Sequence, residues 1–205
     1  MTAPETLPRE SYPDRHHDVY FKTIFGFWVY LLTDFMMFAV FFATYAVLRN
    51  NTYGGPSAQE ILSVPYALVQ TLILLVGSLT IGLGGASAHR REKNRTMALY
   101  GITFFLGILF MGMELSEWVH LISEGSSWKR SAFLSAYFTL VGMHGLHMVF
   151  GLLWFIVLLP PVWIDGLLPV SIRRLTCLRM FWQFLNIIWV LIFTIVYLMG
   201  ASEYA

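Results

Sequence analysis

The sequence predicts an all-α membrane protein, a bundle of five transmembrane helices. Three observations carry this. The 205 residues are 57% hydrophobic and only 12% charged, about half the ~25% charge load of a soluble domain. The apolar residues gather in five long stretches, each able to cross ~30 Å of hydrocarbon at ~1.5 Å per residue. Backbone polar groups must be satisfied internally in lipid, which makes those stretches helices.

Residues 1–22 form a polar tail broken by Pro4, Pro8 and Pro13. It lacks the apolar core of a secretory signal and is expected to stay in the mature protein, with His16 and His17 solvated. Residues 23–205 form the five-helix domain. The first span, 24–48, is dense in aromatics and carries Asp34 near its middle, one turn from Tyr30 and from Phe38. The bland reading of Asp34 is a carboxylic acid donating one hydrogen bond to a neighbouring helix. The second span, 65–87, holds no ionisable residue. Its Ser78, Gly82 and Ala86 make a small-residue ladder, with Gly77, Gly84 and Gly85 beside it, a face suited to close helix packing.

The third span, 97–121, aligns Gly107, Glu114 and Glu117 on one stripe, with His120 near its outer edge. The fourth, 131–159, follows a short connection that makes it an antiparallel neighbour of the third. His144 and His147 lie near its middle, with Gly151 on the same face. A connection rich in proline, tryptophan and arginine should sit at headgroup level. The fifth span, 180–200, opens with Gln183 and Asn186 one turn apart.

Ten of the thirteen Lys and Arg residues fall before the first span, between the second and third, or before the fifth. Arg49, Lys129 and Arg130 remain for the other side. The positive-inside rule therefore predicts a cytoplasmic N-terminus and a periplasmic C-terminus. A net charge of +1 and the lack of a basic stripe or nucleic-acid motif argue against a nucleic-acid partner. A single cysteine, Cys177, cannot form an internal disulfide or a cysteine cage and reads as a small packing residue.

Ionisable residues within such spans are functional candidates by default. A metal or haem site is disfavoured: each helix repeats one ligand type, and the two central imidazoles share a helix. An autonomous proton-coupled transporter, with Asp34, Glu114, Glu117 and His144 as relay stations, is the alternative. Such proteins commonly show repeats and broken helices, and neither is present here. The preferred reading is an accessory membrane subunit whose polar residues hold helices in register. On depth alone, a Glu114–His144 hydrogen bond is its first expected contact.

Several motifs together carry a family resemblance: G-F-W-V-Y-L-L-T-D-F, A-T-Y-A-V-L, G-G-P, E-L-S-E, G-M-H-G-L-H and F-W-Q-F-L-N-I-I-W-V-L-I-F-T-I-V-Y-L-M-G. Over about residues 21–200 the chain resembles subunit III of the haem–copper terminal oxidases, and within it the cytochrome o ubiquinol oxidase branch. Larger cytochrome c oxidase members carry two further helices. The resemblance implies a subunit without catalytic or metal residues of its own, inside a proton-pumping complex that oxidises ubiquinol and reduces oxygen to water. Haem and copper would reside in subunit I, which this subunit stabilises. Subunits I, II and IV and membrane phospholipids would be its partners, and the bacterial cytoplasmic (inner) membrane its place. Asp34 stands where many members have a carbodiimide-reactive Glu. Asp34, Glu114, Glu117, His144, His147, Gln183 and Asn186 would be the internal polar or lipid-cleft residues. The last helix departs from the pattern, since W-H-F-x-D is here Trp182-Gln183-Phe184-Leu185-Asn186. Two ionisable groups have become amides, which a packing contact tolerates and a proton carrier does not.

Overall fold

The structure, a computed structural model, describes residues 15–202; the expectations for residues 1–14 lie outside it. Helix α1 runs Arg15–Leu48, and a short α2 follows at Ala58–Ile61. Then come α3 (Val64–His89), α4 (Lys93–Ser123), α5 (Ala132–Asp165) and α6 (Pro169–Ile192). A π-helical segment, Phe193–Leu198, continues α6 into a last short helix, α7, at Met199–Ser202. Five of these elements are long and apolar enough to cross a membrane, and no strand occurs among the described residues.

Helix α6 sits at the centre, packed against α3, α5 and α1, while α4 lies between α3 and α5. Its Phe181, Trp182, Leu185, Ile188, Trp189 and Ile192 are all buried, a spacing that turns one face inward along the full helix. Most exposed residues of the spans are large and apolar, such as Phe105, Leu109, Phe150 and Val157. A soluble fold would hide such a surface, whereas lipid or a partner helix covers it at no cost.

Tight approach depends on glycine at particular places. A Cβ at Gly84 would come within 2.8 Å of the Tyr100 ring, and one at Gly107 within 2.5 Å of Trp182 Cη2. The face that α3 buries is one residue round from the expected ladder. Gly77, Ile81, Gly84 and Ala88 are buried, whereas Ser78 and Gly82 are half-buried and Ala86 is exposed. Two small-residue stripes run side by side on this helix, and the bulk of Tyr100 on α4 selects the one containing Gly84.

Three boundaries differ from expectation. Helix α1 begins at Arg15, inside the segment read as a polar tail, because a helix leaving the membrane needs no apolar residues. Helix α5 continues through Pro160 and Pro161 to Asp165 and stops at Gly166, whose φ is +81°. The two prolines remove the amide donors for the carbonyls of Ile156 and Val157. Both residues are exposed, where headgroups and water can take over. Helix α6 starts at Pro169, in its first turn, a position where the missing N–H costs nothing. The expected headgroup connection shrinks to three residues.

Candidate functional site

Glu114 and Glu117 project from the buried face of α4, with Gly107, Phe110 and Leu121 on the same stripe. Gln70 on α3 donates its amide N–H to Glu114 Oε2 at 3.4 Å. Glu117 accepts from the hydroxyl of Tyr197, at 3.2 Å to Oε1 and 3.3 Å to Oε2. Tyr197 belongs to the π segment and is fully buried. Its hydroxyl also lies 3.1 Å from that of Tyr137 on α5. A phenol has one proton to give. Tyr197 directs its own at the carboxylate, so Tyr137 donates to Tyr197. The result is a directed chain, Tyr137 to Tyr197 to Glu117. On its outer side Glu117 borders an open cleft shared with Glu60, Tyr66, His120 and Glu124. His120 and Glu124 face each other there, Nε2 to Oε1 3.4 Å, both well exposed.

The second group lies toward α1 and α6. His144 is fully buried, and its Nε2 lies 3.3 Å from the Leu185 carbonyl on α6. A carbonyl only accepts, so Nε2 carries the proton. The ring is enclosed by Phe110 and Trp189, with centroids 5.9 and 5.2 Å away. His147 donates from Nδ1 to the Met143 carbonyl at 2.8 Å, which aims Nε2 at Asp34 Oδ2 on α1, 3.8 Å away. Asn186 is buried and donates to the Trp182 carbonyl on its own helix at 2.9 Å. Gln183 is exposed. It sits on a groove between α3 and α6, not in the interior, so of the two expected settings, internal or lipid-cleft, the internal one is not the one it takes.

The expected Glu114–His144 hydrogen bond does not form. Both residues sit at the α4–α5 interface region, but each turns to a third helix, Glu114 to α3 and His144 to α6. Depth counting fixed their heights and left the azimuth open. Sequence reasoning also missed Gln70, Tyr137 and Tyr197. A glutamine within a span read as holding no ionisable group was the available signal for the first. The tyrosines carried none, because a π turn places Tyr197.

Four contacts thus join all five spans: Gln70–Glu114 (α3–α4), Glu117–Tyr197 (α4 to the π segment beyond α6), His144–Leu185 (α5–α6) and Asp34–His147 (α1–α5). His144 is walled in by aromatic rings, and His147 faces a carboxylate. Among the described residues no three His, Cys, Asp or Glu side chains cluster in a way that could hold a metal ion.

Fold and site define a polytopic α-helical membrane protein whose spans are fastened by internal polar contacts. The sequence pattern of the family described as cytochrome c oxidase subunit III matches residues 8–201, and the chain belongs to that family. It is 54% identical over 188 residues to the cytochrome bo(3) ubiquinol oxidase subunit 3 of Pseudomonas aeruginosa, covering 92% of this chain and 90% of the relative. The subunit of the same name from Pseudomonas putida is 42% identical over 184 residues, covering 90% and 89%. The cytochrome c oxidase subunit 3 of a Bacillus species is 38% identical over 204 residues, covering 98% and 99%. That last relative is matched nearly end to end, so a chain of this length occurs under both names.

Proposed function

We propose that this chain is the non-redox accessory subunit III of a proton-pumping haem–copper ubiquinol oxidase. It stabilises the catalytic subunit I, which holds haem and copper, and it contacts subunits II and IV and membrane phospholipids. The complex oxidises ubiquinol and reduces oxygen to water in the bacterial cytoplasmic membrane. This subunit's N-terminus is cytoplasmic and its C-terminus periplasmic, on the asymmetry of its Lys and Arg residues.

The observation that carries the accessory role is the use made of the polar residues. Asp34, Glu114, Glu117, His144 and His147 each meet a neighbouring helix of the same chain. Interhelical hydrogen bonds in membranes contribute about 0.6 kcal/mol each, so the three named here, with the longer 3.8 Å approach of His147 to Asp34, fix register more than they add stability. The quinol branch is supported by the higher identity to the two Pseudomonas bo(3) subunits, 54% and 42%, than to the Bacillus cytochrome c oxidase subunit, 38%.

Purification through this chain from its native membrane tests the reading. Co-purifying haem absorption bands and ubiquinol-dependent oxygen uptake are expected. A colourless homo-oligomer that catalyses proton-coupled flux would replace the reading with a stand-alone transporter.

A further inference from the structure

Away from the ends of the spans, polar side chains on exposed faces follow one pattern, with a single departure among the described residues. Thr33, Thr44, Thr139 and Thr194 turn their hydroxyls back onto carbonyls of their own helices, those of Tyr30, Val40, Ser135 and Val190. Each then offers lipid no unsatisfied donor. Gln183 does not follow. It is exposed, and no described residue hydrogen-bonds its amide. It stands fourteen residues after Pro169 and fifteen before Leu198, in a span of 30 residues. That places it roughly 21 Å from either end, at the middle of the membrane.

The amide is part of a polar strip. Gln183 shares a groove between α3 and α6 with Ser78, Asn186, Leu75, Ile187 and Val190. Asn186 is buried, and its Oδ1 has no hydrogen-bond partner. Ser78 is half-buried on the facing helix. Around them Ile187 and Leu75 are 60% and 47% exposed. Other faces at comparable depth, such as Phe105 and Leu109 on α4 or Val149, Phe150 and Leu153 on α5, offer only hydrocarbon.

Acyl chains cannot hydrogen-bond, and an amide facing them leaves two donors and an acceptor unpaired. Polar side chains inside membranes almost always face protein, and interhelical amide contacts are a recurrent means of association. We infer that the α3–α6 groove centred on Gln183 is the docking surface for a transmembrane helix of another oxidase subunit. That helix presents a hydrogen-bonding side chain at mid-depth to the Gln183 amide, and apolar residues to Leu75, Ile187 and Val190. The inference rests on the proposed place of this chain in a multisubunit oxidase and adds which face meets the partner.

Photo-cross-linking from Ile187→p-benzoylphenylalanine in the intact complex in native membranes, with Gln183 unchanged, tests it. The expected adduct is a transmembrane peptide of a haem-bearing or haem-co-purifying subunit, identified by mass spectrometry. Adducts confined to lipid or quinone, or the lack of any polypeptide adduct, overturn it. In parallel, Gln183→Leu should reduce haem retained per chain after detergent extraction several-fold. Gln183→His, which keeps a donor and an acceptor, should restore most of it, and Val157→Leu on a purely apolar face should change nothing. Full haem retention by Gln183→Leu also overturns the inference. If the unsubstituted chain carries no haem at all, the subunit assignment itself fails, an outcome distinct from either.

Discussion

Gly107→Ala places one methyl group where the structure has no room for it. The new Cβ would lie 2.5 Å from Trp182 Cη2, 3.2 Å from Cζ2 and 3.0 Å from Leu152 Cδ2. Carbon atoms in ordinary contact are about 3.5–4.0 Å apart, so the indole must retreat by about 1 Å. It has nowhere to go. Trp182 is fully buried, crosses Phe155 edge-on at 5.2 Å, and has Gly77 and Gly151 against its other sides. Overpacking of this kind costs about 1–3 kcal/mol, while alanine regains about 1 kcal/mol of helix propensity over glycine. The net loss should be about 0–2 kcal/mol, toward the upper end where the ring cannot shift, a fall of up to roughly 30-fold in the folded-to-unfolded ratio. Denaturant titration of the detergent-solubilised protein, followed by tryptophan fluorescence, measures it. Gly101 and Gly112 on the same helix have nothing within 4 Å of a would-be Cβ, so alanine there should be neutral or stabilising. Trp182→Phe should relieve part of the Gly107→Ala cost in a double-mutant cycle. Equal effects at Gly107 and Gly112 would refute the packing argument.

Tyr197→Phe removes the donor from both oxygens of Glu117 and should cost about 1–3 kcal/mol, while Tyr137→Phe leaves that bond intact and should cost about 1 kcal/mol. Thermal midpoints that rank the two variants the other way would reverse the assigned direction of the chain. Gln70→Leu removes the amide donor to Glu114, for a similar cost of about 1–3 kcal/mol, and adding Glu114→Leu should recover much of it because the carboxyl that lost its donor is then gone. Asp34→Ala and His147→Ala should show a coupling of about 0.5–2 kcal/mol in a double-mutant cycle; strictly additive losses would mean that the 3.8 Å approach carries no interaction.

The spans were legible because hydrocarbon imposes a length and a composition that few other environments demand. Their stripes were partly legible: Gly107, Glu114 and Glu117 share the buried face of α4 as their spacing requires, and His144, His147 and Gly151 share that of α5. Pairing between helices was not legible. Spacing along a helix gives depth and relative azimuth, but the rotation of one helix against another is settled by bulk, such as Tyr100 over Gly84 or Trp182 over Gly107. That rotation sends Glu114 to Gln70 instead of His144. Helix ends were least legible near headgroups, where Pro160, Pro161 and Pro169 signal a break in water and are tolerated within or at the start of helices here.

The π segment sets a phase as well as a position. Along a regular helix each residue advances by about 100°, and a π turn accommodates an additional residue without breaking the rod. Residues beyond Leu198 are therefore rotated relative to the face that Trp182, Leu185 and Trp189 bury. Gly200 in α7 accordingly meets Ala58 of α2, where a Cβ on the glycine would come within 3.1 Å, while Tyr197 is delivered to Glu117. One rod thus serves two interfaces with different azimuths, a central one within the bundle and a terminal one against the α1–α3 connection. Deleting Thr194 or Ile195, neither of which is buried, would leave the other side chains' chemistry in place and bring the two azimuths back into line, swinging Tyr197 away from its carboxylate and Gly200 away from α2 together.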